Sequence, residues 1–184
     1  EQDPKGAVFR ARRGGGTWQE GERIRVCPGG RPEGKRLSCL PATYWTQFTP
    51  LGELRRGVGE VRALGSIAYE LASVARGAVQ FTLLGGPSIW DVAAGVLLVR
   101  EAGGEVLARR PRTNEWHPLL RFGPGFNRPP GSLKELRRWR QSLLAANPEL
   151  ARFAAARLRA RGRRLSWRAV RRALWRRRRF PSRG

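Results

Sequence analysis

The chain has 184 residues, 40% of them hydrophobic, which is enough for one domain with a buried core. Its formal net charge is +23, and nearly all of the excess is arginine. No stretch reaches the roughly 20 apolar residues of a membrane span. The polar start Glu1-Gln2-Asp3-Pro4-Lys5 is not a signal peptide, so a cytoplasmic protein is expected.

Residues 7–13 alternate partly and read as a strand that turns at Gly14-Gly15-Gly16. A second turn at Glu20-Gly21-Glu22 leads into a strand over 23–27, and 28–36 is a loop. Residues 38–45 suit a strand weakened by Pro41, and 51–57 a short helix. Ile67, Leu71, Val74 and Ala78 recur at helical spacing behind Ser66, a good N-cap, with Gly77 placed to stop the helix. An apolar strand follows over 79–84, broken by Gly85-Gly86-Pro87. Asp91 opens a second helix over 92–102, apolar on nearly every face and therefore expected to be buried. Gly103-Gly104 ends it, and 105–108 begins a strand. Residues 109–132 read as a long loop, 133–141 as a basic helix, 143–146 as a strand and 148–161 as a terminal helix. This alternation predicts an α/β layered domain, its strands near 79–84, 105–108 and 143–146 stacked against helices 66–76 and 91–102.

Cys27 and Cys39, the only cysteines, are expected to be free, because two thiols without a secretory signal are seldom bridged. They cannot build a zinc site with a single histidine, His117, in a polar loop. The chemistry concentrates between 61 and 107. Asp91 at the start of a helix is favoured by the helix dipole and suits a hard cation such as Mg²⁺. Gly65-Ser66 presents a second helix start with free amides, which suits an anion or a hydroxyl-rich ligand. On pattern alone the simpler reading prevails, with Asp91 only an N-cap and Gly65-Ser66 only a turn, because one Asp cannot assemble a metal site.

Trp90-Asp91-Val92-Ala93-Ala94-Gly95 resembles the C-terminal signature of the inositol monophosphatase family. Glu101-Ala102-Gly103-Gly104 follows at that family's distance, and Gly65-Ser66-Ile67-Ala68 precedes at the right interval. Gly14-Gly15-Gly16-Thr17-Trp18 is similar to its glycine-rich hairpin, and Ala145-Ala146-Asn147-Pro148 to its last strand-to-helix junction. The resemblance covers about residues 5–158, with a loop insertion near 109–140. It implies a layered α-β-α-β-α sandwich of the inositol monophosphatase or sugar phosphatase type, with the N-terminal part missing. It further implies a Mg²⁺-dependent phosphomonoesterase in which Asp91 binds metal and orients substrate while Gly65, Ser66 and Ile67 contact substrate. A small phosphorylated substrate and a homodimer are the partners it suggests. The family often carries an acid seven positions before the metal Asp, for ring hydroxyls. Leu84 stands there, which favours another sugar phosphate or a nucleotide phosphate over inositol phosphate.

The family's Glu-Glu pair and Asp-Pro-Ile-Asp-Gly-Thr motif are absent, since Asp3-Pro4 is followed by Lys5-Gly6. No catalytic carboxylate can therefore be assigned, and one Asp cannot clamp both attacking and leaving oxygens. The chain has no Met and opens on Glu1, and it reads as an incomplete half, inactive alone. Residues 159–184 hold twelve arginines and no acid. Trp167, Val170 and Leu174 share one face of a basic amphipathic helix there, suited to an anionic membrane or nucleic acid. A solvated tail, or a translated frameshift in GC-rich DNA, is the plainer alternative. The competing functional reading is a non-enzymatic remnant that binds anions through this tail; the residues encoded directly ahead of Glu1 discriminate the two.

Overall fold

The computed structural model describes residues 6–110, 113–123 and 129–161. Of the Arg-rich tail expected over 159–184 as a basic amphipathic helix, residues 162–184 lie outside them, whereas 159 and 160 belong to a strand that pairs with Phe48–Pro50. Chain order is β1 (Phe9–Arg12), β2 (Gly16–Gln19), β3 (Glu22–Ile24), β4 (Leu37–Cys39), α1 (Tyr44–Gln47), β5 (Phe48–Pro50), α2 (Glu53–Arg56), β6 (Glu60–Arg62) and α3 (Ile67–Ala75). It continues with β7 (Val79–Gly85), α4 (Ile89–Glu101), β8 (Glu105–Arg109), β9 (Trp116–Pro118), α5 (Leu133–Arg138), β10 (Ser142–Ala146), α6 (Pro148–Arg157) and β11 (Leu158–Ala160).

A six-stranded mixed sheet, ordered β6-β4-β7-β10-β8-β9, is the centre of the molecule. β4 runs parallel to both β6 and β7, whereas β10 is antiparallel to β7 and β8. β7 lies between two partners and is covered on both faces, so every residue of Val79–Leu84 is buried, polar Gln80 and Thr82 included. Alternate residues feed two cores. Leu84, Leu143, Val106 and Ala108 pack with Leu71, Val74, Val92, Val96 and Val99 of α3 and α4. Leu83, Leu144 and Leu107 face the other way, toward Tyr44, Phe48 and Leu150. A three-stranded antiparallel sheet, β1-β2-β3, lies against α4. The layers run small sheet, α3 with α4, large sheet, α6, giving four layers of the expected five-layer sandwich among the described residues. None of the described helices is long and apolar enough to cross a membrane.

Both central helices stop in the same way. The Gly77 N–H donates to Val74 O and the Ala78 N–H to Ser73 O, with Gly77 at φ +74. Gly103 and Gly104 repeat the pattern on Arg100 O and Val99 O, with Gly103 at φ +85. These are Schellman ends, and both glycines were legible as stops.

Several boundaries differ from the sequence reading. Residues 38–45 split into β4 and α1, because Pro41 and the turn after it interrupt the strand. The loop over 109–132 contains β9. The terminal helix ends at Arg157, and the next three residues form β11, which pairs with β5. α4 begins at Ile89 rather than after Asp91, and its buried stripe is Val92, Gly95, Val96 and Val99. Ala93, Ala94 and Trp90 are exposed, so the helix is not buried all round. β2, β5, β6 and β11 are three or four residues long, and a partner strand rather than a pattern defines them.

Candidate active site

The topology brings the two helix starts together. β6 and β7 both run parallel to β4, so their C-terminal ends share one edge of the sheet. α3 follows β6 and α4 follows β7, so both helices begin at that edge and point their positive dipole ends the same way. Gly65 sits at φ +76, a left-handed turn that favours glycine. Ser66 is the N-cap of α3, its Oγ accepting from Tyr69 N at 3.4 Å. Ile67 is the first helical residue and packs half-buried on the core between α3, α4 and the sheet.

Asp91 is not an N-cap. Ser88 holds that position, and Asp91 lies three residues into the turn, where its Oδ2 accepts from Ser88 N at 3.3 Å. This is the reach-back half of a capping box. Oδ1 takes no hydrogen bond from the described residues, so the half-buried carboxylate has an oxygen to offer. Trp90 beside it is 64% exposed, and the Arg140 guanidinium lies 5.2 Å from its ring centre.

The sequence reading missed Glu70. It is 8% exposed, on the buried stripe of α3. Its Oε1 accepts from Leu64 N at 3.3 Å and its Oε2 from Thr82 Oγ1 at 2.9 Å. Glu70 therefore ties the loop that carries Gly65 and Ser66 to the central strand. The signal was an acid three residues after Ile67, on the helix face given to the core. Leu84, where the family often has an acid, is 3% exposed and belongs to the core under α3 and α4.

The other matched motifs are structural joints. A Cβ on Gly95 would lie 2.7 Å from Leu71 Cβ, so this glycine sets the contact between α3 and α4. Thr17 donates to Leu98 O at 2.7 Å, and Gly16 N to Glu101 Oε2 at 3.2 Å, which fastens the glycine-rich hairpin to the end of α4. Asn147 Oδ1 caps α6 by accepting from Leu150 N, while its Nδ2 donates to Cys27 O and Gly29 O. Cys27 and Cys39 are free and buried, as expected. Burial pushes the Cys39 thiol up to about 12, with the Glu70 carboxylate adding to the effect. His117 lies on β9 at the far edge of the sheet from β6, 3.4 Å from Glu115 Oε2.

The sequence profile of the inositol monophosphatase family matches residues 3–135. The chain belongs to that family. It is 44% identical over 110 residues to a fructose-1,6-bisphosphatase/inositol-1-monophosphatase of Thermococcus kodakarensis, a match covering 58% of this chain and 40% of the relative. It is 39% identical over 106 residues to an inositol-1-monophosphatase of Mesorhizobium japonicum, covering 54% and 39%. The crystal structure of the extragenic suppressor protein suhB from Bartonella henselae superposes with a TM-score of 0.55 at 27% identity, over 82% of this chain and 52% of that one. The chain thus spans about 40% of the length of the curated relatives it matches.

The family is generally metal-dependent. Among the described residues, however, no group of three or more His, Cys, Asp or Glu side chains is placed to hold a metal ion. Mg²⁺ takes six oxygen ligands, several of them waters, and is held by carboxylates together with substrate phosphate oxygens. Asp91 alone does not fit that requirement, and no catalytic step through a metal follows from these residues.

Proposed function

We propose that this chain is the substrate-positioning part of a phosphomonoesterase, and that the whole protein hydrolyses a sugar phosphate or nucleotide phosphate with Mg²⁺. The observation that carries the reading is the shared edge where α3 and α4 begin. Asp91 there keeps one carboxylate oxygen without a hydrogen bond from the described residues, at the same end of the sheet as the left-handed Gly65-Ser66 turn. In this reading Asp91 contributes a single metal ligand and orients the substrate. The amides at Gly65, Ser66 and Ile67 hold an oxyanion or hydroxyl through backbone N–H groups. An apolar Leu84 removes a carboxylate partner for a sugar-ring hydroxyl, which argues against inositol phosphate.

The test has two parts. The purified 184-residue chain is expected to release no phosphate above background with Mg²⁺, and activity lost in Asp91→Asn would refute this. In a whole protein carrying the Glu-Glu and Asp-Pro-Ile-Asp-Gly-Thr motifs, Asp91→Asn should abolish turnover with little change in melting temperature. The amide is nearly isosteric and still accepts from Ser88 N. Ser66→Ala should act mildly on turnover and cost about 1 kcal/mol of stability through the lost cap. Near-full activity of Asp91→Asn at saturating Mg²⁺ would leave Asp91 as a helix cap only.

The alternative is a non-enzymatic remnant of the fold that binds anions through the twelve arginines of 159–184. An inactive whole protein of unchanged fold would support it.

A further inference from the structure

A cleft of about 1070 Å³ opens on the face of the large sheet opposite α3 and α4. Its floor is where β7, β10 and β8 end side by side, with Ser142 in register with Gly85 and Leu143 in register with Ala108. Leu83, Leu144 and Leu107 point into the core on that face, so the period of two along each strand brings Ser142 and Arg109 to the same side. One wall is the turn from α1 into β5, with Thr46 and Thr49. The other wall is β11 and its continuation, with Arg159 and Arg161. The Arg161 N–H donates to Gln47 O at 2.8 Å, which closes the two walls on each other.

The described residues supply no counter-charge to the arginines of this cleft. Arg109 is half-buried, with its guanidinium 5.8 Å from the centre of the Phe48 ring. Its Nε is buried and has no hydrogen-bond partner. Loss of water pushes its pKa below the ordinary range. Arg161 Nε donates to Thr49 Oγ1 at 2.9 Å, which aims the rest of that guanidinium without neutralising it. No acidic side chain lines the cleft among the described residues. A recessed guanidinium without a counter-charge is costly, and a bound anion removes that cost. Arginine's planar fork matches phosphate through two parallel hydrogen bonds. Arg159 and Arg161 are two residues apart along one strand direction, a spacing of about 7 Å, so the rim offers a second anion position separate from the floor.

We propose that this cleft binds a small anion carrying at least two phosphate groups, one seated on Arg109 at the floor and one between Arg159 and Arg161 at the rim. The recessed Arg109 selects a compact group over an extended polymer, whose backbone would reach only the rim. The site uses none of Gly65, Ser66, Ile67 or Asp91 and is independent of the hydrolytic reading.

The full 184-residue chain, isotope-labelled and without divalent metal, is titrated with inorganic pyrophosphate and with inorganic phosphate at physiological salt, and its backbone amide resonances are followed. Pyrophosphate is expected to shift Thr49, Ser142 and Ala160 saturably, with at least tenfold tighter binding than phosphate. Arg109→Met should weaken pyrophosphate binding at least tenfold. If that variant does not fold, Arg159→Gln with Arg161→Gln, two exposed positions, decides the matter by a similar loss. Shifts confined to residues 162–184 would overturn the proposal, because the basic tail would then be the only receptor. So would unchanged affinity in the variants, equal affinity for phosphate and pyrophosphate, or a single-stranded oligonucleotide that moves the same amides as strongly.

Discussion

Replacing Gly95 by Ala tests how α3 and α4 meet. Helix propensity alone says the change should help, since Ala exceeds Gly by about 1 kcal/mol in a helix interior. The geometry says otherwise. The new Cβ would lie 2.5 Å from Leu71 Cδ1 and 2.7 Å from Leu71 Cβ. A rotamer change can move Cδ1 but not Cβ, which is fixed to the α3 backbone. Leu71 is fully buried, so the helices themselves must part by several tenths of an ångström. Overpacking of this kind costs about 1–3 kcal/mol, toward the upper end where the backbone must move. The net expectation is a loss of about 1–2 kcal/mol. For a chain of this size that lowers the melting temperature by about 2–8 °C. Thermal unfolding followed by circular dichroism measures it, with Ala94→Gly at the exposed neighbouring position as the control for propensity. If Gly95→Ala melts at or above the parent while Ala94→Gly falls, the close approach of the two helices is wrong.

Other substitutions probe the joints. Gln80→Ala should cost about 2–4 kcal/mol in urea unfolding, because this buried amide accepts from Glu33 N and donates toward Glu33 O, Arg36 O and Ser38 Oγ. Asn147→Asp should fall by about 1–3 kcal/mol although it preserves the α6 cap, since a carboxylate cannot donate to Cys27 O or Gly29 O. A smaller loss in Asn147→Asp than in Asn147→Ala would isolate the cap's share. Both thiols should be inert to a disulfide reagent at pH 8 in the native chain and react together in denaturant, because burial raises both pKa values. Cys39, raised to about 12 in the folded chain, binds its proton more tightly there than when unfolded. Its contribution to stability is therefore whole below about pH 8.5 and is lost as the pH rises toward 12, which an alkaline series of unfolding curves would show.

The long elements were legible because their patterns are local. Ile67, Leu71 and Val74 repeat at helical spacing, and Gly77 and Gly103 sit where each helix must turn left-handed. The short strands were not legible. Glu60–Arg62 is exposed throughout and holds strand form by pairing with β4, and Leu158–Ala160 does so by pairing with β5. Their partners are 20 or more residues away, and no nearby residue announces them. The candidate site divides in the same way. Asp91 and Gly65-Ser66 could be picked out because they adjoin helix starts. Glu70 and Gln80 each stood as one polar residue in an apolar setting, a signal present but not used. Arg109, Arg159 and Arg161 are separated by some 50 positions, and only the antiparallel return of β11 onto β5 gathers them.

The small sheet has an edge with a consequence for association. No described strand pairs with the outer side of β1, so among the described residues the outward backbone donors and acceptors of Phe9–Arg12 have no strand partner. Its side chains alternate, with Phe9 and Ala11 turned partly inward and Arg10 and Arg12 exposed. A second copy adding its own β1 there would set guanidinium against guanidinium, and like charges across a strand pair oppose pairing. A strand bearing carboxylates on the matching face would meet no such barrier. The arginine bias of this chain thus acts, at one edge, as a filter on which backbone can extend the sheet.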